Sequence, residues 1–168
     1  MHTTLNLLLV ETEQDLDCQL RERLRLALGC PFRLVHCRDM ATALRQVSGL
    51  AVDVDLAFVD VSPYNARESE DAVLALSEAA PDVPLLAIGP DDHKRALRLI
   101  DIGAQDYLYK EKICANHCLL RDAVEFALKR QKLFTRVVER AQNDLEEKNQ
   151  VISWMAGGYS VDTSVRMM

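Results

Sequence analysis

The chain has 168 residues, which suits one domain plus an extension, and its 49% hydrophobic share is enough for a core. A formal charge of -6 excludes the basic stripe of a nucleic-acid surface, and no apolar run approaches the ~18 residues of a membrane span. Five cysteines, with no basic start or cleavage site of an export signal, read as reduced thiols of a cytoplasmic protein.

Leu5 to Val10 reads as a buried strand that ends in acid at Glu11. A helix follows, with Leu16, Leu20, Leu24 and Leu28 at four-residue spacing, Thr12 and Asp15 as its cap and Gly29 as its stop. Pro31 opens a short strand, Phe32 to Cys37. Asp39 then caps a helix whose core face is Met40, Ala43, Leu44 and Val47. Leu56-Ala57-Phe58-Val59-Asp60 cannot alternate between core and water, so it predicts a central parallel strand covered on both faces. Val61-Ser62-Pro63 leaves the sheet, and a helix around Arg67–Ala80 carries Val73, Leu76 and Ala80 on one face. Pro84 to Ile88 is a fourth strand with Gly89-Pro90 as its exit. Asp91-Asp92 begin a helix with Ala96, Leu97 and Ile100 inward and Gly103 at its end. Asp106 to Lys110 is a fifth strand, terminating in a lysine. Strands alternating with helices at short connections predict an α/β fold: a five-stranded parallel sheet, doubly wound.

From about Cys114 the period changes. Leu120, Val124, Ala127, Gln131, Phe134, Val138, Ala141, Leu145, Lys148, Ile152 and Met155 step by four and three, a heptad seam of about five heptads. The first turns have the sheet to pack on, and the remainder predicts a coiled coil with a second copy, a homodimer through residues 120–155. Gln131 and Lys148 interrupt the seam as register-setting polar residues. Gly157-Gly158 ends the helix, which gives a division into 1–128, a helical extension 129–155, and a linker or tail 156–168. Cys114, His117 and Cys118 lie close together but have no second ligand pair at zinc spacing, so they read as helix-face residues.

Ligands of open α/β sheets gather at the carboxyl ends of the strands, and topology sends Glu11, Asp60 and Lys110 there. Two neighbouring acids can bind a divalent cation, a lysine offsets their charge, and a carboxylate is a nucleophile toward phosphorus. Leu7-Leu8-Leu9-Val10-Glu11, Leu56 to Asp60, and Gly103-Ala104-Gln105-Asp106-Tyr107-Leu108-Tyr109-Lys110 resemble the receiver domain of bacterial two-component response regulators over about Leu5 to Arg130. The resemblance implies a flavodoxin-like receiver fold and a phosphoacceptor signalling domain rather than an enzyme, with Asp60 phosphorylated by a partner histidine kinase. It implies that Glu11, Asp60 and the Ser62 backbone carbonyl hold Mg2+ and that Lys110 contacts the phosphoryl group. It also makes Tyr107 the switch aromatic, and it implies an output domain or protein downstream.

The sequence departs from the family pattern at several places. Thr12 stands where the second acid of the pair contacts the metal, so magnesium affinity falls. Gly89 stands at the switch position where the family carries a hydroxyl that bonds the phosphoryl oxygen and draws the aromatic inward. Pro63 comes one position early, Glu68 replaces a glycine, and Glu111 replaces a proline. Thr12 and Gly89 together support a second reading, a degenerate receiver that acts as a phosphorylation-independent interaction and dimerisation scaffold. A hydrolase using Asp60 would need a second acid two residues on, where Ser62 stands.

Overall fold

The structure, a computed structural model, describes residues 4–12, 15–49 and 53–157. Its elements are β1 (Leu5–Val10), α1 (Asp15–Ala27), β2 (Phe32–Cys37), α2 (Met40–Ser48), β3 (Leu56–Asp60) and α3 (Ala66–Ala79). They continue with β4 (Leu85–Gly89), α4 (His93–Asp101), β5 (Asp106–Tyr109), α5 (Lys110–Ala115) and α6 (His117–Gly157). The strands form one parallel sheet in the order β2-β1-β3-β4-β5. That order reverses between β1 and β3, which places the topological switch point between the residues following those two strands.

Side chains alternate across the sheet and build a core on each face. Leu7, Leu9, Phe58 and Ile88 meet Leu16, Leu20 and Leu24 of α1 and Leu120 and Val124 of α6 on one side. Leu8, Val10, Ala57 and Val59 meet Ala43, Val73, Leu76, Ala96 and Leu99 of α2, α3 and α4 on the other. Every residue of β3 and of β4 is buried, as their unbroken apolar runs require.

Local chemistry fixes the helix starts. Asp39 and Asp92 accept the N–H groups of Thr42 and Arg95, and Asn65 and Glu68 form a reciprocal capping box on α3. At α1 the cap is the Glu11 carboxylate, which accepts from the N–H groups of Leu16 and Asp17. Thr12, expected there, is exposed. Gly103, at φ 131, turns the chain out of α4 in a conformation that a side chain would strain, and a Cβ there would meet Ser77 at 2.8 Å.

The inward face of α4 differs from expectation. Leu97 is 50% exposed and Ile100 41%, whereas Leu99 is fully buried with Ala96. The phase is set by Ala96 and Leu99 facing the sheet, with Ile102 partly buried one turn on. Lys110 is also not the end of a strand: β5 stops at Tyr109, and Lys110 opens α5. Asn116 is extended (φ -138, ψ 102) and its side-chain oxygen accepts from Cys118 N, so two helices stand where one was expected. Cys114 closes α5 as a weak donor to Gln19 of α1 at 3.2 Å.

The chain divides into two units between Gln131 and Lys132. In the first, α6 buries Leu120, Ala123, Val124 and Ala127. There Gln131 accepts a hydrogen bond from the Gln105 side chain at 3.0 Å. In the second, Leu133, Phe134, Val137, Leu145, Ile152 and Met155 are each at least 60% exposed. The helix runs through Gly157, so the first two residues of the tail expected at 156–168 are helical instead, and the remainder, 158–168, lies outside the described residues.

The α4 phase gives a direct test. Leu99→Ala should destabilise the protein by about 2–5 kcal/mol and Leu97→Ala by no more than about 0.5 kcal/mol, read from urea unfolding of each variant. Equal losses would mean that α4 is rotated from the phase described.

Candidate phosphoacceptor site

Asp60 closes β3, and its residue is only 1% exposed. The strand register sets it beside Ile88 of β4, and the Val61 N–H continues that ladder to the Ile88 carbonyl at 2.8 Å. Both carboxylate oxygens are engaged. Ser62 N–H donates to Oδ1 at 2.8 Å, and the Lys110 ammonium donates to Oδ2 at 3.0 Å. The Lys110 side chain is 28% exposed, so the pair runs from a buried carboxylate to a partly exposed ammonium. A charge-assisted bond to a desolvated acid is among the stronger contacts a protein makes, and it joins the ends of β3 and β5 across β4.

Glu11 follows β1 and is likewise 1% exposed. Burial raises its pKa above the ordinary carboxylate value. The N–H bonds from Leu16 and Asp17 and the nearby His36 lower it, and the Asp60 charge raises it further. His36, at the end of β2, lies 3.2 Å from the Glu11 carbonyl oxygen and 3.5 Å from its carboxylate. Sequence reasoning assigned His36 no part in this site. Its position one residue before the end of a strand adjacent to β1 was the available signal.

The Mg2+ implied by the resemblance would draw on Glu11, Asp60, the Ser62 carbonyl and Thr12. Among the described residues no three His, Cys, Asp or Glu side chains are placed to share a metal. The Glu11 carboxylate is committed to the first turn of α1, and Thr12 offers only a neutral, exposed hydroxyl. Asp60 alone is then a charged donor not committed to a helix terminus. In this arrangement the donor set does not fit a resident Mg2+, which prefers at least one or two free carboxylates among its oxygen ligands.

Gly89, the last residue of β4, and Tyr107, the second residue of β5, form a matched pair. The Tyr107 ring lies inward, 6% exposed, and its hydroxyl donates to the Pro90 carbonyl at 2.9 Å. A Cβ on Gly89 would stand 2.2 Å from that hydroxyl oxygen and 2.8 Å from Val61 Cγ2. The tyrosine therefore occupies the space that any side chain at position 89 would need. Burial pushes the Tyr107 phenol up to about 12, against a smaller opposing effect of the Arg95 charge. Tyr109 packs edge-on to it, with ring centroids 5.5 Å apart.

A doubly wound five-stranded parallel sheet of this order is the architecture of response regulator receivers. Solved structures agree. A response regulator receiver domain from Clostridium thermocellum superposes with a TM-score of 0.62 at 18% identity, covering 77% of this chain and 98% of that one. The signal receiver domain of an HD domain-containing protein from Pseudomonas fluorescens Pf-5 gives 0.63 at 21% identity, covering 77% and 98%. A fusion carrying a trimeric coiled-coil segment of yeast Spc42 gives 0.65 at 18% identity, covering 90% and 98%. No family model and no curated protein matches the chain. The chain has the receiver fold.

The Gly89–Tyr107 pair carries a pH signature. Tyrosine titrates at 10.0 when unperturbed and at about 12 here, so the native state keeps a proton that the unfolded chain loses. Stability from this group is full below pH 10 and is lost as pH rises from 10 toward 12. Gly89→Ser should expel the ring, return the native titration toward 10, and cost about 1–3 kcal/mol. Ultraviolet titration of the phenolate, with Tyr107→Phe as reference, reads the change. An unaltered titration in Gly89→Ser would uncouple the two residues.

Proposed function

We propose that the protein is a receiver module of a two-component response regulator in the cytoplasm, accepting a phosphoryl group on Asp60 from a histidine kinase. The single observation that carries this reading is the Lys110 ammonium at 3.0 Å from the buried Asp60 carboxylate. A carboxylate oxygen attacks phosphorus, the bond from phosphorus to the donor breaks, and the product is an acyl phosphate. The ammonium is placed to neutralise charge on the phosphoryl oxygens, which is most of what a protein contributes to phosphoryl transfer.

The relay in this reading is α6. Its exposed stripe from Phe134 to Met155 pairs with a second copy as a coiled coil and passes the state of the receiver to an output domain or protein. Isolated surface helices do not normally leave such a stripe uncovered.

A second reading is favoured by one contact. Tyr107 is already seated inward against Pro90, without any side chain at position 89 to draw it there. A receiver whose switch residue is fixed in this way serves as a scaffold whose interactions do not wait for phosphate.

Acetyl phosphate with millimolar magnesium separates the two. The phosphoacceptor reading expects the intact mass to rise by one phosphoryl group, with the gain abolished in Asp60→Ala. No gain over hours, with the protein still folded, would leave the scaffold. The dimer is tested by sedimentation of the full chain against a chain ending at Gln131. The full chain should sediment as a dimer and the shortened one as a monomer, and a monomeric full chain would remove the helical pairing.

A further inference from the structure

We propose that Arg95 is a phosphoryl-binding residue of the Asp60 site, supplying the donors that the end of β4 lacks. This rests on the phosphoacceptor reading above and adds a residue to it. The end of β4 has no side-chain donor to offer an anion: Gly89 has no side chain, and Pro90 has neither a polar side chain nor an N–H.

Arg95 comes from the helix that follows this strand end. Asp92 caps α4 by accepting from Arg95 N–H at 3.0 Å, which fixes Arg95 in the first turn. Side chains of a helix lean toward its N-terminus, and in a parallel sheet that end of α4 lies at the carboxyl ends of the strands. The guanidinium accordingly reaches back to donate through Nη1 to the Val61 carbonyl at 3.3 Å, one residue beyond Asp60. The side chain is 18% exposed. Its Nε is buried with no hydrogen-bond partner, lying 3.8 Å from the Asp92 carboxylate.

A buried guanidinium N–H left without an acceptor is uncommon enough to require a reason. The Ser62 hydroxyl, two residues from Asp60, is a second buried group without a partner at this same strand end. Guanidinium is a planar fork of five donors that matches phosphoryl oxygens in pairs. With Lys110 approaching from the start of α5 and Arg95 from α4, a phosphoryl group on Asp60 would be met by two cations.

The test uses the full chain with acetyl phosphate and millimolar magnesium, reading the initial rate of mass gain together with the thermal midpoint of the unphosphorylated protein. Arg95→Gln should lower the rate about tenfold with the midpoint little changed, and Arg95→Lys should recover part of it because the charge persists. Equal rates in wild type and Arg95→Gln overturn the assignment. So does a loss shared equally by Arg95→Gln and Arg95→Lys with both midpoints lowered, which would make Arg95 a brace for the loop. If wild type itself gains no mass, the phosphoacceptor reading has failed and the role of Arg95 falls with it. That outcome differs from a wild type that reacts while Arg95→Gln reacts as fast.

Discussion

The Asp60–Lys110 pair constrains everything around it. A carboxylate 1% exposed must have its charge answered within the protein, because burial without a partner costs several kcal/mol. Asp60 and Lys110 belong to different segments and meet only when β3, β4 and β5 run parallel in register and β5 breaks at Tyr109. The helical start at Lys110 is part of that solution, since it places the first residue after the strand where its amine can return over β4. A pairing shift of one residue would turn the carboxylate to the opposite face of the sheet. The buried ion pair is therefore a register device as well as a chemical site.

The neighbouring end of β4 is organised by volume. Gly89 gives up a side chain and Tyr107 fills the space, exchanging a polar group for a ring whose hydroxyl still finds an acceptor at Pro90. This keeps the end of β4 closely packed, in accord with the density of protein interiors. It also fixes the aromatic by sterics and one hydrogen bond together.

The strands were legible because each is a continuous or nearly continuous apolar run bounded by Pro31, Pro84, Gly89 or a carboxylate, and the parallel order follows from the alternation of strands with helices. What escaped was phase and direction. The α4 sequence contains Ala96, Leu97, Leu99 and Ile100, which can face a sheet in two ways, and only packing selects Ala96 with Leu99. Tyr109-Lys110-Glu111-Lys112 has no glycine or proline to announce the turn from strand to helix. Nothing in the sequence marks Arg95, an arginine in a first helical turn, and His36 reads there as a surface or core residue. Their approach to Val61 and Glu11 depends on contacts far apart in the chain.

Glu11 shows how two structural demands compete for one group. Its position after β1, at the switch point, is where a metal-binding acid would stand, and it is equally where the first N–H groups of α1 need an acceptor. The fold assigns the carboxylate to the helix, with two N–H bonds and His36 close by. Burial still raises its pKa, so these partners compensate for desolvation only in part. Releasing Glu11 to a cation would uncap α1 and leave two backbone donors without their acceptor. Asp60 has its own partners in Ser62 and Lys110. Each buried acid at the strand ends is thus satisfied locally, and any cation arriving with a phosphoryl group must compete with a helix terminus on one side and an ammonium on the other.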